Sequence, residues 1–311
     1  MMRALAALVA LALAGCGVGL EVPRDRLPHF ERPNGPPPRL ALVLGSGGPR
    51  GFAHIGVLKA LEDNGIKPDL IIGSSVGSMV GALYAAGIKA NELEKLAYEL
   101  DFKEFFEMRT LLGLAGNGRA VQRYVTMHLK GVPIEALKIP FAAAATRRSD
   151  GKLVLFNRGD TGLAVRASSA SLGQFEPVAI NGQEYLDSDE VSPVPIRAAR
   201  ELGAKVVIAV DVSAYAQDTP QGVPDEWVQK DARRARQVAA EASQADVLLH
   251  PNIGYYAGFS ESYRRRVIAT AERATREHMP QILAALKRAG ISPAPPQNLS
   301  MARIPAPEAS R

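Results

Sequence analysis

The sequence predicts an α/β protein, a three-layer α/β/α fold with a mainly parallel central sheet, on three observations. Short, continuous apolar runs such as Leu40 to Leu44 and Leu70 to Ile72 read as strands buried on both faces. Each is followed by a glycine-rich turn and a segment of helical period, the alternation that builds a parallel sheet covered on both sides. With 311 residues, 47% of them hydrophobic and 22% charged, the chain has the composition of a globular protein with a large core.

The first strand is Leu40 to Leu44. A helix from about Gly51 to Asn64 is closed by Gly65, and the strand Asp69 to Ile72 follows. Helix Val76 to Ala86 stops at Gly87, and further helices are expected at Asn91 to Met108 and Arg119 to Lys130. Ile139 to Thr146 meets Lys152 to Phe156 across Asp150-Gly151, a hairpin signal, and Asn181-Gly182 marks a second hairpin. Then come a helix at Val194 to Leu202, a strand at Lys205 to Val210, a helix around Glu226 to Ala242, a short strand at Asp246 to Leu249, and one long helix from Glu261 to Lys287. No repeat and no linker interrupts this pattern, so residues 40–290 read as one domain.

The ends differ. Arg3, the apolar run Ala4 to Leu13 and the small residues Ala14 and Gly15 make residues 1–15 an export signal, too short to span a bilayer. The single cysteine, Cys16, stands directly after Leu13-Ala14-Gly15, which resembles the bacterial lipoprotein box. That resemblance implies that Cys16 becomes the lipidated first residue of a mature protein anchored in the cell envelope. Each buried acyl CH₂ contributes about 0.8 kcal/mol, so several chains hold a protein durably to a membrane. Residues 16–39, with Pro33, Pro36, Pro37 and Pro38, read as an extended tether. Residues 291–311 repeat that composition and read as a disordered tail.

Thirty-seven Lys and Arg against 32 Asp and Glu leave a net charge of +5. Part of it lies in the runs Arg233, Arg234, Arg236 and Arg264, Arg265, Arg266. Such runs could favour anionic lipid head groups or nucleic acid, but on helices they read more often as solvated faces, so charge decides nothing; no nucleic-acid partner is expected.

Two glycine-rich turns carry chemistry. Gly45-Ser46-Gly47-Gly48-Pro49-Arg50-Gly51 joins a buried strand to a helix, leaving amides unshielded at a positive helix end, a place for an anion. A nucleotide phosphate and the oxyanion of an acyl intermediate both fit, as does a tight turn with no ligand. The dinucleotide fingerprint fails because Arg50 stands at the third glycine, and the phosphate-loop ending is absent. Gly73-Ser74-Ser75-Val76-Gly77 matches G-x-S-x-G between a strand and a helix, the nucleophile elbow in its required context. Its turn is so tight that side chains at 73 and 77 would collide, and it pushes the Ser75 hydroxyl out at a helix N-terminus.

A nucleophilic serine needs a base. Of the five histidines, His29 lies in the tether, His54, His128 and His278 within helical patterns, and His250 alone on a loop downstream. An α/β-hydrolase would use His250.

Taken in order, the glycine loop with Arg50, the segment Gly-Phe-Ala-His-Ile-Gly-Val-Leu-Lys-Ala-Leu, the elbow, and an Asp followed by Val191-Ser192-Pro193-Val194-Pro195 resemble the patatin-like phospholipases. Gly159-Asp160 and Ala164-Val165-Arg166-Ala167-Ser168 resemble that family's helix leading to the substrate cleft. The resemblance covers roughly residues 40–210. It implies a Ser/Asp dyad without histidine: Ser75 as nucleophile, Asp187 as base, Gly47 and Gly48 lending amides to an oxyanion hole, and Arg50 bracing that loop. It implies cleavage of fatty acyl esters of lipids, phospholipids or lysophospholipids, with no metal and no organic cofactor. One departure stands out, Asp187-Ser188-Asp189 where the family usually has Asp-Gly-Gly. A positive φ at the third position would be tolerated by Asp, and a second carboxylate would raise one pKa of the pair. The apolar stretch Phe102, Phe105, Phe106, Met108, Leu111, Leu112 and Leu114 reads either as a cap over an acyl chain or as core. Two other classes remain on these residues: a non-catalytic lipid-binding lipoprotein, and a serine hydrolase of peptides or thioesters.

Overall fold

The computed structural model describes residues 21–101 and 115–295. Residues 1–20, with the expected export signal and Cys16, residues 102–114, with the expected cap, and residues 296–311 lie outside the described residues. Among those described, the strands are β1 (Leu40–Leu44), β2 (Leu70–Ser74), β3 (Phe141–Arg147), β4 (Lys152–Phe156), β5 (Val178–Ile180), β6 (Gln183–Asp187), β7 (Val206–Val210) and β8 (Val247–Leu249). The helices are α1 (Ala53–Asp63), α2 (Val76–Ala85), α3 (Ala90–Glu99), α4 (Arg119–His128), α5 (Thr161–Ser168), α6 (Ile196–Glu201), α7 (Asp225–Ala242), α8 (Glu261–Glu277) and α9 (Met279–Arg288).

Strand β1 is buried along its whole length and lies between β2 and β7, both parallel to it, with Leu42 opposite Ile71 and Ile208. Parallel pairing continues outward from β2 to β3 and from β7 to β8, while β4, β5 and β6 add antiparallel strands beside β3. Alternate side chains go to opposite layers, as the pleat requires. Leu40, Leu42 and Leu44 join the larger core with Leu58, Leu61, Val80, Leu83, Val267 and Ile268. Ala41 and Val43 join the smaller one with Ile196, Ala198, Ala199 and Val238. The sheet is thus covered by helices on both faces, the three-layer arrangement the apolar runs imply.

Several details differ from the sequence reading. The long helix breaks at His278 into α8 and α9. Pro280 sits in the first turn of α9, where it has no N–H to give and its ring opposes the carbonyl four residues back. The helix expected from Val194 begins at Ile196, because the residue before Pro195 is pushed out of helical conformation. Helix α3 ends at Glu99 with Leu100 extended, so the described part of the Asn91 to Met108 helix is shorter than expected. The tether is in part laid on the domain: the His29 and Arg158 backbones pair, and the Asp160 amide donates to Arg26 O at 2.7 Å. Its backbone groups find partners on the loop before α5 that an extended free segment would leave to water. The two arginine runs are not uniformly solvated, since Arg234 and Arg264 are each 8% exposed. Their positions recur with Val238 and Glu241, and with Val267, Ile268 and Ala271, on the inward faces of α7 and α8.

Candidate active site

The register of one strand brings the two candidate residues together. Along β3, β4 occupies one edge from Ala143 to Arg147, so β2 and β6 must share the other. Strand β2 ends with Ser74 opposite Ala144, and β6, running the opposite way, ends with Asp187 opposite Ala145. Successive strand residues are about 3.3 Å apart, so the two strands meet nearly end to end, with Ser75 leaving one and Asp187 closing the other.

Ser75 has φ 53° and ψ −124°, left-handed backbone for a residue with a side chain. Such a conformation costs on the order of 1–3 kcal/mol and persists only where its surroundings over-determine it. Here the Ser75 amide donates to Ser168 Oγ at 2.9 Å, and Ser78 Oγ donates to the Ser75 carbonyl at 2.6 Å. Ser74 Oγ lies 2.6 Å from Ser188 Oγ, tying the elbow to the turn after β6. The flanking glycines are forced by space. A Cβ on Gly73 would lie 2.4 Å from Ser78 Cα, and one on Gly77 would lie 2.2 Å from the Leu44 carbonyl oxygen.

The glycine loop leaves the end of β1. Gly45 N donates to Val210 O and Ser46 N to Pro193 O, both at 2.9 Å. The next two amides, of Gly47 and Gly48, donate to no protein group among the described residues. The loop touches the elbow: a Cβ on Gly51 would lie 2.4 Å from the Val76 side chain. Arg50 is half-buried and donates to the Tyr255 carbonyl, which joins the loop to the segment after β8. Burial holds its pKa below the ordinary guanidinium value.

Asp187 is 2% exposed, and the Ser75 side chain lies near enough to favour its ionised form. Its Oδ1 also accepts the Asp189 amide at 2.9 Å, and its own backbone is fixed by Ala170 O and Thr146 Oγ1, each at 3.0 Å. Burial, and then the neighbouring Asp189, push its carboxyl up to about 7, against the pull of Ser75, the Asp189 amide and Arg234. Asp189 does not take positive φ, so the left-handed turn considered for the third position of Asp187-Ser188-Asp189 does not form. Its carboxylate accepts Ser46 Oγ at 2.5 Å and faces Arg234 at 3.3 Å.

Each histidine is engaged elsewhere. His54 donates Nε2 to the Gly45 carbonyl at 2.8 Å, and complete burial lowers its pKa to about 4. His250 lies 3.7 Å from Asp211, hydrogen-bonds Ser213 O and stacks on Tyr215. His29, His128 and His278 bond to carbonyls of their own segments, Leu27, Tyr124 and Ala274. Among the described residues no cluster of three or more His, Cys, Asp or Glu is placed to hold a metal ion.

The structure therefore brings together Ser75, Asp187, Gly73, Gly77 and the loop of Gly47, Gly48 and Arg50. Cys16 lies outside the described residues. Sequence reasoning missed Ser168, Ser188, Ser46 and Arg234. Ser168 had a signal, since it ends the very segment, Ala164 to Ser168, that stands out before α5 closes.

A family model described as patatin-like phospholipase matches residues 42–200. An uncharacterized NTE family protein of Mycobacterium tuberculosis is 36% identical over 209 residues, which are 63% of this chain and 56% of that protein. Lysophospholipase NTE1 of Coccidioides immitis is 35% identical over 192 residues, 60% of this chain and 12% of that protein. The chain thus spans little more than half the length of the mycobacterial relative and a small part of the fungal one. Among solved structures, VipD from Legionella pneumophila shares the fold with a TM-score of 0.57 at 12% identity, over 88% of this chain and 73% of that one.

Proposed function

Because the chain belongs to the patatin-like phospholipase family, we propose that it is a serine acyl hydrolase cleaving fatty acyl esters of phospholipids or lysophospholipids. Ser75 is the nucleophile and Asp187 the base. The observation that carries this reading is the meeting of β2 and β6 on one edge of β3, which sets Ser75, at a strained elbow, against the buried carboxylate of Asp187 and near two glycine amides with no protein acceptor among the described residues; burial pushes that carboxyl up to about 7. A base poised near the working pH is half-ionised where it must accept a proton and strong enough to take it.

The steps follow from these positions. Asp187 takes the Ser75 proton as Oγ attacks the ester carbonyl carbon. The negative charge that develops on the carbonyl oxygen is received by the Gly47 and Gly48 amides, with the loop braced by Arg50 on the Tyr255 carbonyl. Collapse breaks the ester bond, and Asp187 returns the proton to the leaving alcohol. Water, deprotonated by Asp187, then attacks the acyl-serine; the bond to Ser75 Oγ breaks, Asp187 returns the proton to that oxygen, and the fatty acid leaves. The names of the relatives, a lysophospholipase among them, support a lipid ester as substrate.

Covalent labelling with a fluorophosphonate, followed by peptide mapping, tests the reading. The adduct is expected on Ser75, with none in Ser75→Ala; an adduct on Ser74 or Ser78 would overturn the elbow. We also propose, on the sequence alone, that Cys16 carries a lipid anchor holding the domain at a membrane of the cell envelope.

A further inference from the structure

The glycine loop, the elbow and the base turn come from distant parts of the chain, and a buried ionic cluster binds the first to the third. Arg234, in the third turn of α7, donates Nη2 to the Ser46 carbonyl at 2.5 Å and to Ser46 Oγ at 2.8 Å. Its Nη1 faces Asp189 Oδ1 at 3.3 Å, and Ser46 Oγ donates to the same oxygen at 2.5 Å. The Asp189 amide in turn donates to Asp187 Oδ1 at 2.9 Å. The chain of contacts begins on the residue before Gly47 and ends on the base carboxylate.

We propose that Arg234 and Asp189 form a positioning pair for the acyl transfer, locking through Ser46 the loop of oxyanion donors onto the turn that carries the base. The inference rests on the Ser75/Asp187 reading. A buried ion pair is by itself weak evidence for stability. Replacing a buried ion pair with well-packed hydrophobes is often neutral or stabilising, so an Arg and an Asp in this place are not required by the core. What they supply is direction: a planar fork can hold a carbonyl, a hydroxyl and a carboxylate in one arrangement. A misplacement of about 1 Å between reacting groups can cost on the order of 10²-fold in rate.

The pair also sets the charge around the base. Asp187 is faced by Ser75 from the elbow, by the amide and carboxylate of Asp189 from its own turn, and by Arg234 from α7; the Thr146 hydroxyl of β3 meets its carbonyl. Asp189 pushes the ionisation of Asp187 up and Arg234 pulls it down. Removing each alone must therefore move the activity profile in opposite directions, which a purely structural role would not do.

The test is kcat/KM for a soluble nitrophenyl ester between pH 5 and 9, with the full mature chain. Arg234→Gln is expected to lose roughly 10- to 100-fold and to move the midpoint to higher pH. Asp189→Asn is expected to move it to lower pH, and the double variant to return it near the wild-type position without recovering the rate. Arg234→Lys keeps the charge but not the fork, so it should keep the midpoint and lose rate. If Arg234→Gln does not fold, Asp189→Asn and Arg234→Lys still decide. The proposal is overturned if folded Arg234 and Asp189 variants keep wild-type rate and midpoint while Ser75→Ala and Asp187→Asn are inactive. Activity surviving in Ser75→Ala would instead overturn the Ser/Asp reading itself.

Discussion

A carboxylate sealed from water can act as a base at neutral pH only because the fold holds it away from its ordinary ionisation, and that has a cost in stability. Asp187 ionises near 3.8 when unperturbed and near 7 in the folded chain. A raised folded pKa contributes stability below the unfolded value, and this is lost as pH rises through the folded one. Asp187→Asn removes that linkage. It should lower turnover by about 10²- to 10⁴-fold, since an amide cannot accept the proton as a carboxylate does. Yet its Tm advantage over the wild type should grow between pH 4 and pH 7 and be level above pH 7. Thermal melts across that range measure it, and a Tm difference independent of pH would contradict the shifted ionisation. Ser75 was legible in the sequence because its signal is local, five residues between a strand and a helix. Asp187 was legible only through the resemblance, since its partner is far away in the chain. Arg234 was hidden in a charged run because its burial is decided by Ser46, 188 residues away.

At the scale of elements, the site depends on how closely β1, the glycine loop and α2 approach one another. Gly77 has no room for a methyl: its Cβ would meet the carbonyl oxygens of Leu44 and Gly45, at 2.2 Å and 2.6 Å, and backbone does not yield as a flexible side chain does. Gly77→Ala gains at most about 1 kcal/mol of helix propensity. Overpacking at such a contact costs about 1–3 kcal/mol, so the clash wins and shifts the loop bearing Gly47 and Gly48. Both Tm and turnover should fall. Gly182→Ala is the comparison. Its Cβ meets nothing within 4 Å at φ +72°, so it should cost about 1–2 kcal/mol of left-handed backbone while turnover stays intact. Equal loss of turnover in both variants would mean that fold stability, not loop placement, governs the rate. The hairpin of Asn181 and Gly182 was readable because both residues announce positive φ, and they adopt 50° and 72°. The sharing of one β3 edge by β2 and β6 was not, because register is a property of two distant segments that neither records alone.

For the whole molecule, the parallel strands all end on one edge of the sheet, and the loops at that edge build the site, as expected of open α/β sheets. Two of the large exposed hydrophobic side chains belong to the same edge: Trp227, 52% exposed, at the start of α7 after β7, and Tyr256, 60% exposed, beyond β8. Tyr255 links these segments to the site, through its hydroxyl on Asp231 at 2.8 Å and its carbonyl on Arg50. Tryptophan and tyrosine suit a boundary between water and lipid, where one end of the ring is wet and the other apolar. No described helix is long and apolar enough to cross a membrane. On the proposed function, such a rim and the anchor proposed at Cys16 would bring the site to lipid. The backbone bonds of Arg26 and His29 to the domain would shorten the span of an anchor at Cys16. From Cys16 to Arg26 the chain can extend at most roughly 35 Å, so an anchored domain stays within about its own diameter of the surface. Such confinement raises the effective concentration of lipid without altering the chemistry, and tethering of this kind can add on the order of 10²-fold or more to apparent affinity. The mature lipidated chain and Cys16→Ser should therefore hydrolyse a soluble nitrophenyl ester at the same rate. On dilute phospholipid vesicles the unanchored chain should be slower by at least about tenfold. Equal rates on vesicles would show that Cys16 contributes nothing to substrate access and that the exposed rim alone brings the site to lipid.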